Sequence, residues 1–356
     1  MKKIVFTGGG TAGHVNPNIA LIDRLDRGEW EIHYIGMDGS VEQRLISQKD
    51  GVSFHPITAG KMRRYFSIKN FTDCFRVLKG LSQSKKLIKQ IKPDLVFSKG
   101  GFVSVPVVMA AKRKCPVLIH ESDYSPGLAN RIAARYADII CVTFSETQRF
   151  IKAGKTVVHT GTPIRDALLC GSKQAGLRFC GFDGSKPVLL VMGGSLGAQA
   201  LNERLREALP KLLPVFDIVH LCGEGKLDAS YDFAGYKQFE YIGQELPDIL
   251  AMAELAVSRA GANAVFELLA LHKPAILVPL PLAQSRGDQI QNADYFASRG
   301  YAIKLDQEAM SAETLTNAIT KLYSERRSFA DRMRNDRTAN GTERVLELIF
   351  KVSGDL

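Results

Sequence analysis

Each half of the chain opens with the same device, a short apolar strand that runs through a glycine-rich turn into a helix. Residues 3–7 read as a strand followed by Gly8, Gly9, Gly10, Thr11, Ala12, Gly13 and His14, and residues 188–192 as a strand followed by Gly193, Gly194, Ser195, Leu196, Gly197 and Ala198. Further strands are expected at 31–35, 53–57, 95–98, 117–121, 139–142 and 156–160, then at 218–222, near Tyr241, at 255–257 and at 275–278, with helical spacing between them. Alternation of this kind requires a parallel sheet covered on both faces, with ligands at the carboxyl ends of the strands. A chain of 356 residues exceeds one ordinary core, so two such domains are expected. Pro163 stops a strand, the polar stretch to Lys186 reads as linker plus a short helix, and a new strand follows Pro187. The expected domains are therefore 1–163 with 341–356, and 164–340, the last helix (342–352) crossing back to the first.

The first turn admits two readings. Glycines 8, 10 and 13 satisfy GxGxxG, and Asp38 lies past the second strand, as in a dinucleotide site. Against this, Asn16 is a good N-cap and Pro17 a good first helical residue, so the helix is expected to begin only after His14. The loop would then end in a histidine facing its ligand. Next to a helix start the neutral imidazole is favoured, which is the form a general base requires. Two more segments fall at strand ends: Ser98 to Phe102, where Lys99, Gly100 and Gly101 form a second candidate phosphate cradle, and His120 to Asp123.

In the second half, the strand at 255–257 empties into Ser258, Arg259, Ala260, Gly261, Ala262 and Asn263. Small residues there let backbone N–H groups approach a ligand, and the helix start favours an anion by roughly 0.3–1 kcal/mol. Glu267 lies one turn beyond Asn263, within reach of a sugar hydroxyl, and Gln289 and Asn292, which follow the next strand, are expected to grip a nucleoside. Arg165, at the junction, offers a planar donor fork to a diphosphate.

No segment approaches 18 uninterrupted apolar residues, and no leader is expected. Six cysteines (74, 115, 141, 170, 180 and 222) show no CxxC spacing and read as reduced core residues of a cytoplasmic protein. The net charge is +10, and between Lys61 and Lys92 ten basic residues face one acid, Asp73, a local surplus of +9. Ile68, Phe71, Phe75 and Leu78 stand among them at helical spacing. This resembles an interfacial membrane contact, each cation near an anionic surface being worth about 1 kcal/mol; the alternative is a stripe packed on the core beneath a solvated face. No nucleic-acid motif accompanies the charge, and no nucleic-acid partner is expected. HExxH, GxSxG and GxxxxGK[ST] are absent, as is an Asp-x-Asp pair for a metal-bound nucleotide diphosphate, so no metal or cofactor is expected.

Together, residues 8–14, Gly-Gly-Phe (100–102), His-Glu-Ser-Asp (120–123), Gly-Thr-Pro-Ile-Arg (161–165), Gly-Gly-Ser-Leu-Gly-Ala (193–198), Ser-Arg-Ala-Gly-Ala (258–262) and Asp-Gln-Ile-Gln-Asn-Ala (288–293) resemble the MurG family of bacterial peptidoglycan glycosyltransferases. The likeness covers almost the entire chain. It implies a GT-B fold, two Rossmann-like doubly wound parallel-sheet domains facing across a cleft. It also implies transfer of N-acetylglucosamine from UDP-N-acetylglucosamine to lipid I, giving lipid II, at the inner face of the cytoplasmic membrane. By motif match, Arg165, Ser195, Ile242, Ala262, Asn263, Ala264, Val265, Phe266, Glu267 and Gln289 would hold the donor, with Glu267 on the ribose. Thr11, Ala12 and Gly13 would line the first-domain side, His14 would be the base for an inverting, metal-free displacement, and Lys99, Gly100, Gly101 and Asp123 would be acceptor-side residues. Two departures stand out: Ala12 where many members have glycine, and Ser122-Asp123 where many have Gln-Asn. A nicotinamide oxidoreductase, a UDP-sugar epimerase and a membrane-docked nucleotide-sugar sensor remain the alternatives.

Overall fold

The computed structural model describes residues 1–60, 69–194 and 197–354, and the side chains of all of these except 69–75. The chain divides into two compact units, residues 1–165 with 340–356, and residues 166–339, so Arg165 ends the first unit.

The first unit runs β1 (Lys2–Thr7), α1 (Ala12–Ile22), β2 (Trp30–Met37), α2 (Val41–Ile46), β3 (Val52–Ile57), α3 (Lys69–Ile91), β4 (Leu95–Ser98), α4 (Ser104–Ala111), β5 (Val117–Glu121), α5 (Leu128–Ala133), β6 (Ile139–Val142) and β7 (Thr156–His159). Its strands form one parallel sheet in the order β3-β2-β1-β4-β5-β6-β7. All four residues of β4 and all five of β5 are buried, as strands covered on both faces must be. The order reverses between β1 and β4, where Thr7 stands in register with Ser98.

The second unit continues with α6 (Asp166–Leu169), α7 (Lys173–Cys180), β8 (Val188–Met192), α8 (Gln199–Leu212), β9 (Asp217–Leu221), β10 (Tyr236–Phe239), α9 (Leu246–Met252), β11 (Ala253–Ser258), α10 (Ala262–Ala270), β12 (Ala275–Leu277), α11 (Asp288–Ser298), β13 (Ala302–Lys304) and α12 (Ala312–Arg334). Its parallel sheet has the order β10-β9-β8-β11-β12-β13 and reverses between β8 and β11. The closing strand β13 carries no sequence signal beyond three residues, and the strand expected near Tyr241 ends at Phe239, leaving Tyr241 exposed.

The chain then returns to the first unit as α13 (Thr342–Ser353). Val345, Leu346 and Ile349 pack with Ile4, Phe6 and Ile19, each buried side chain contributing about 1.5–3 kcal/mol. The Thr342 hydroxyl accepts from the Ile164 N–H at 3.0 Å, and Arg24 pairs with Glu343 at 2.5 Å.

Two expectations need correction. Helix α1 begins at Ala12, not after His14, and Pro17 lies inside it. The local N-cap signal of Asn16 yields to tertiary bonding: Thr11 is extended, the His14 N–H closes the first turn on the Thr11 carbonyl, and the Asn18 amide donates to the Thr7 carbonyl and to the Tyr34 hydroxyl. The five cysteines whose side chains are described are free, but Cys170 is exposed and Cys115 only half-buried, so they are not all core residues.

Candidate active site

In the first unit three segments meet at the carboxyl ends of β1, β4 and β5. The turn after β1 abuts the turn after β4: the Gly9 N–H donates to the Gly100 carbonyl at 3.3 Å, and a Cβ on Gly101 would come within 2.3 Å of the Gly9 carbonyl oxygen. Gly100 and Gly101 both have positive φ, so only glycine fits without strain. On the other side of the first turn sits Glu42, fully buried in the first turn of α2. Its carboxylate accepts from the N–H groups of Gly10 (3.1 Å) and Met37 (3.2 Å). The turn thus commits a donor to an internal anion. A dinucleotide phosphate would meet a carboxylate there, while Asp38 lies exposed in the loop beyond β2. Sequence reasoning passed over Glu42. Ser40 caps α2 by accepting from the Gln43 N–H, a start that S-x-x-Q spacing can signal, but no local pattern signals that Glu42 turns back to the glycines.

His14 lies in the first turn of α1, half-buried, and its Nδ1 is 3.1 Å from the Thr11 hydroxyl. Ala12 and Gly13 precede it as the first helical residues. Lys99 is not open to a ligand: it is 1% exposed and its ammonium donates to the Ser122 hydroxyl. Burial pushes its pKa down to about 8 even though Glu121 and Asp123 act to raise it.

Beyond β5 the chain ties itself down. Glu121 accepts from the Asp123 N–H (2.9 Å), the Gly127 N–H (3.0 Å) and the Asn130 amide (3.0 Å). His120, fully buried, shares a hydrogen bond through Nε2 with the Gly161 carbonyl at 2.8 Å, which makes that nitrogen the donor. Burial and the Lys99 ammonium hold its pKa well below the usual range, so it is neutral. Arg165 is half-buried, and its Nε lacks a hydrogen-bond partner among the described residues.

In the second unit the turns after β8 and β11 lie side by side, because Met192 and Ser258 are in register. Gly197, with positive φ, lies where a Cβ would strike the Cys222 carbonyl, whereas a Cβ on Gly194 or Gly261 would meet nothing within 4 Å among the described residues. Ser195 and Leu196 lie outside the described residues. Helix α10 opens on Gly261, and its first turn presents N–H groups that no preceding helical carbonyl can satisfy. Of the residues matched to donor binding, Ala262, Val265, Phe266 and Ile242 are buried. Phe266 packs edge-on against Phe296 at 5.2 Å. These side chains serve the core, and the Val265 N–H already donates to the Gly261 carbonyl at 3.1 Å, while Asn263, Ala264 and Glu267 are half-buried.

The turn after β11 is held by its own arginine. Arg259, given no role by the sequence, donates to the carbonyls of Val278 (3.0 Å) and Pro279 (3.3 Å) and to the Gln307 side chain (2.6 Å). Asn292, expected to grip a nucleoside, is instead fully buried and donates to the Ala260 carbonyl at 3.0 Å. Gln289 accepts from the Leu280 N–H at 3.2 Å, which fixes its carbonyl oxygen.

Residues 4–142 match the glycosyltransferase family 28 N-terminal domain, and residues 188–348 match its C-terminal domain. The chain belongs to glycosyltransferase family 28. Its family 28 relatives include a protein of Clostridium botulinum (strain Langeland), 50% identical over 353 residues and covering 99% of both chains, and one of Lachnospira eligens, 52% identical over 351 residues and covering 98% of this chain and 99% of the other. Both are named UDP-N-acetylglucosamine--N-acetylmuramyl-(pentapeptide) pyrophosphoryl-undecaprenol N-acetylglucosamine transferase. Among solved structures, MurG of Acinetobacter baumannii is 29% identical with a TM-score of 0.76, covering 99% of this chain and all of that one. A putative UDP-N-acetylglucosamine 2-epimerase of Listeria monocytogenes, 13% identical with a TM-score of 0.72 over 100% of this chain and 98% of that one, shares the fold. Two parallel-sheet Rossmann-like domains, as the GT-B class requires, are present.

Proposed function

We propose that this family 28 chain transfers N-acetylglucosamine from UDP-N-acetylglucosamine to undecaprenyl-diphosphate-linked N-acetylmuramoyl-pentapeptide, converting lipid I to lipid II in peptidoglycan synthesis. The observation that carries this reading is identity of 50% or more, over nearly the whole length, with relatives named for that transfer. In the proposed mechanism the muramoyl C4 hydroxyl attacks the anomeric carbon and the bond to the UDP oxygen breaks with inversion. His14 accepts the hydroxyl proton, a role typically worth 10²–10⁴ in rate. The first-turn N–H groups of α10 meet the charge developing on the diphosphate, Arg165 supplies a further donor fork, and Glu267 takes the ribose hydroxyls.

In the same reading the enzyme works on the cytoplasmic face of the cell membrane as a peripheral protein. Among the described residues no helix is long and apolar enough to cross a membrane. Residues 61–68, and the side chains up to 75, lie outside what is described. Over the rest of α3, Arg76, Lys79, Lys85, Lys86 and Lys89 are exposed, as is Lys92 just beyond it, and Leu78 is 62% exposed instead of packed on the core. Those features support attachment to anionic lipid.

The test is incubation of labelled UDP-N-acetylglucosamine with and without a lipid I analogue, followed by product analysis. The expected result is acceptor-dependent formation of a disaccharide lipid and UDP. Acceptor-independent donor conversion would point to an epimerase, and binding without turnover to a sensor; either overturns the reading.

A further inference from the structure

The carboxyl end of β9 holds a buried run of polar groups that the transfer chemistry itself does not use. His220, Asn202 and Cys222 are fully buried, and Tyr236 is 3% exposed. They come from three elements: Tyr236 opens β10, His220 lies near the end of β9 with Cys222 just past it, and Asn202 stands one turn into α8. The His220 Nδ1 is 2.7 Å from the Tyr236 hydroxyl, and its Nε2 is 3.0 Å from the Asn202 Oδ1. The Asn202 amide N–H donates to the Cys222 carbonyl at 2.8 Å.

Each bond in this run has only one possible direction. A carbonyl can only accept, so the Asn202 amide nitrogen faces Cys222 and its oxygen faces His220. That oxygen too can only accept, which places the imidazole proton on Nε2. Burial pushes the His220 pKa down to about 3, and Arg206 acts the same way, so the ring is neutral and Nδ1 accepts from Tyr236. Tyr236 thus fixes the tautomer, His220 fixes the amide, and the amide fixes one carbonyl. Against that carbonyl lies the turn after β8. The backbone at Gly197 comes so close that a Cβ there would fall 2.0 Å from the Cys222 oxygen, and the Gly197 N–H closes the turn on the Gly194 carbonyl at 2.9 Å. One carbonyl therefore meets both the turn and, through Asn202, the helix into which the turn leads.

We propose that Asn202 is a positioning residue for the donor: held by His220 and Tyr236, it pins the Cys222 carbonyl as a seat for Gly197 and so sets the turn that carries Ser195. This rests on the transferase reading, in which Ser195 holds the UDP-sugar. The Cys222 N–H and thiol are both committed to the Phe239 carbonyl, at 2.9 and 3.3 Å, so Asn202 supplies the bond on the side of the turn. Without it a buried carbonyl must move to find another donor, and Gly197 loses its seat.

The experiment measures thermal midpoint, kcat and, for each substrate, KM in the native enzyme, Asn202→Ala, Asn202→Asp and Leu322→Ala. Leu322 is buried in the core of the second unit, and its truncation is the control for lost stability alone. Asn202→Asp keeps the shape and still accepts from His220, but its carboxylate cannot donate to Cys222. Both Asn202 variants should raise KM for UDP-N-acetylglucosamine about ten-fold, the scale of one lost buried hydrogen bond, and leave KM for the lipid I analogue near native. Leu322→Ala should lower the midpoint and leave both KM values near native. A purely structural Asn202 would lower the midpoint and leave donor KM unchanged in the folded fraction; that result, or an equal rise in donor KM in Leu322→Ala, overturns the proposal. Should neither Asn202 variant fold, the native chain decides. The His220 Nε2–H resonance, read with isotope-labelled histidine, should shift on saturation with UDP-N-acetylglucosamine, and an unmoved resonance overturns the proposal. A native enzyme that transfers nothing overturns the functional reading instead, since no donor KM then exists to compare.

Discussion

The turn after β1 and the turn after β11 have the same ingredients, a strand end, small residues and a helix start, and they use them oppositely. In the first unit the space beside the turn is already filled. A Cβ on Gly9 would sit 2.3 Å from the Glu42 carboxylate, and that carboxylate accepts the Gly10 N–H. In the second unit a Cβ on Gly261 meets nothing within 4 Å among the described residues, and the first turn of α10 follows it. A strand-turn-helix device is thus not in itself a phosphate site. It becomes one only where the fold leaves its donors open. In the first unit they are partly taken up internally, and the turn serves to hold a helix whose first turn carries His14.

The comparison breaks most sharply at the residues each turn presents. His14→Ala should lower kcat by about 10²–10⁴ while UDP affinity, measured by calorimetry, stays near native; unchanged turnover would remove His14 from the chemistry. Glu267→Ala should act on the donor instead, raising KM for UDP-N-acetylglucosamine by about 10- to 100-fold, as loss of a hydrogen bond to a charged group does, with a smaller change in kcat.

Two glycine substitutions sharpen the contrast. Gly9→Ala should cost about 2–3 kcal/mol in urea unfolding, because the Glu42 carboxylate must leave its N–H donors to make room. Gly261→Ala, whose φ of −67° suits any residue, should leave stability within about 0.5 kcal/mol and raise donor KM, since the new methyl points into the open space. Equal stability losses would show that the two turns are not differently filled.

The smallest expected effect is a pH dependence of stability that Lys99 contributes. Lys99 has a pKa of about 8 against its ordinary 10.5. Between those values the unfolded chain holds the proton and the native chain does not, so this group makes stability rise with pH across that window. Cys141 opposes this slope above about pH 9, because its thiol ionises there only in the unfolded chain and folding pushes it up to about 12; urea unfolding of Lys99→Met against pH, compared with the native chain, should lack only the rising contribution.

Much of this was legible in the residues. Both sheets announce themselves in strands such as β5 and β8, whose apolar runs can only be buried, and the glycine turns follow them at the spacing a parallel fold demands. The last helix was expected to cross back to the first domain, and α13 there buries Val345 and Ile349 with Ile4 and Phe6. Short-range patterns carry this information because strand and helix periodicity are properties of neighbouring residues. What the three-dimensional fold alone decided was how polar groups far apart in the chain satisfy one another. The Asn16–Pro17 signal for a later helix start lost to Asn18 bonding Thr7 and Tyr34; Glu42 met Gly10 across 32 residues; Asn292 was drawn from a binding role to the Ala260 carbonyl; and Lys99, which reads as a phosphate ligand, was turned inward onto Ser122. A buried donor or charge must find its partner wherever the packed chain supplies one, and that choice is made by tertiary proximity, which no local pattern records.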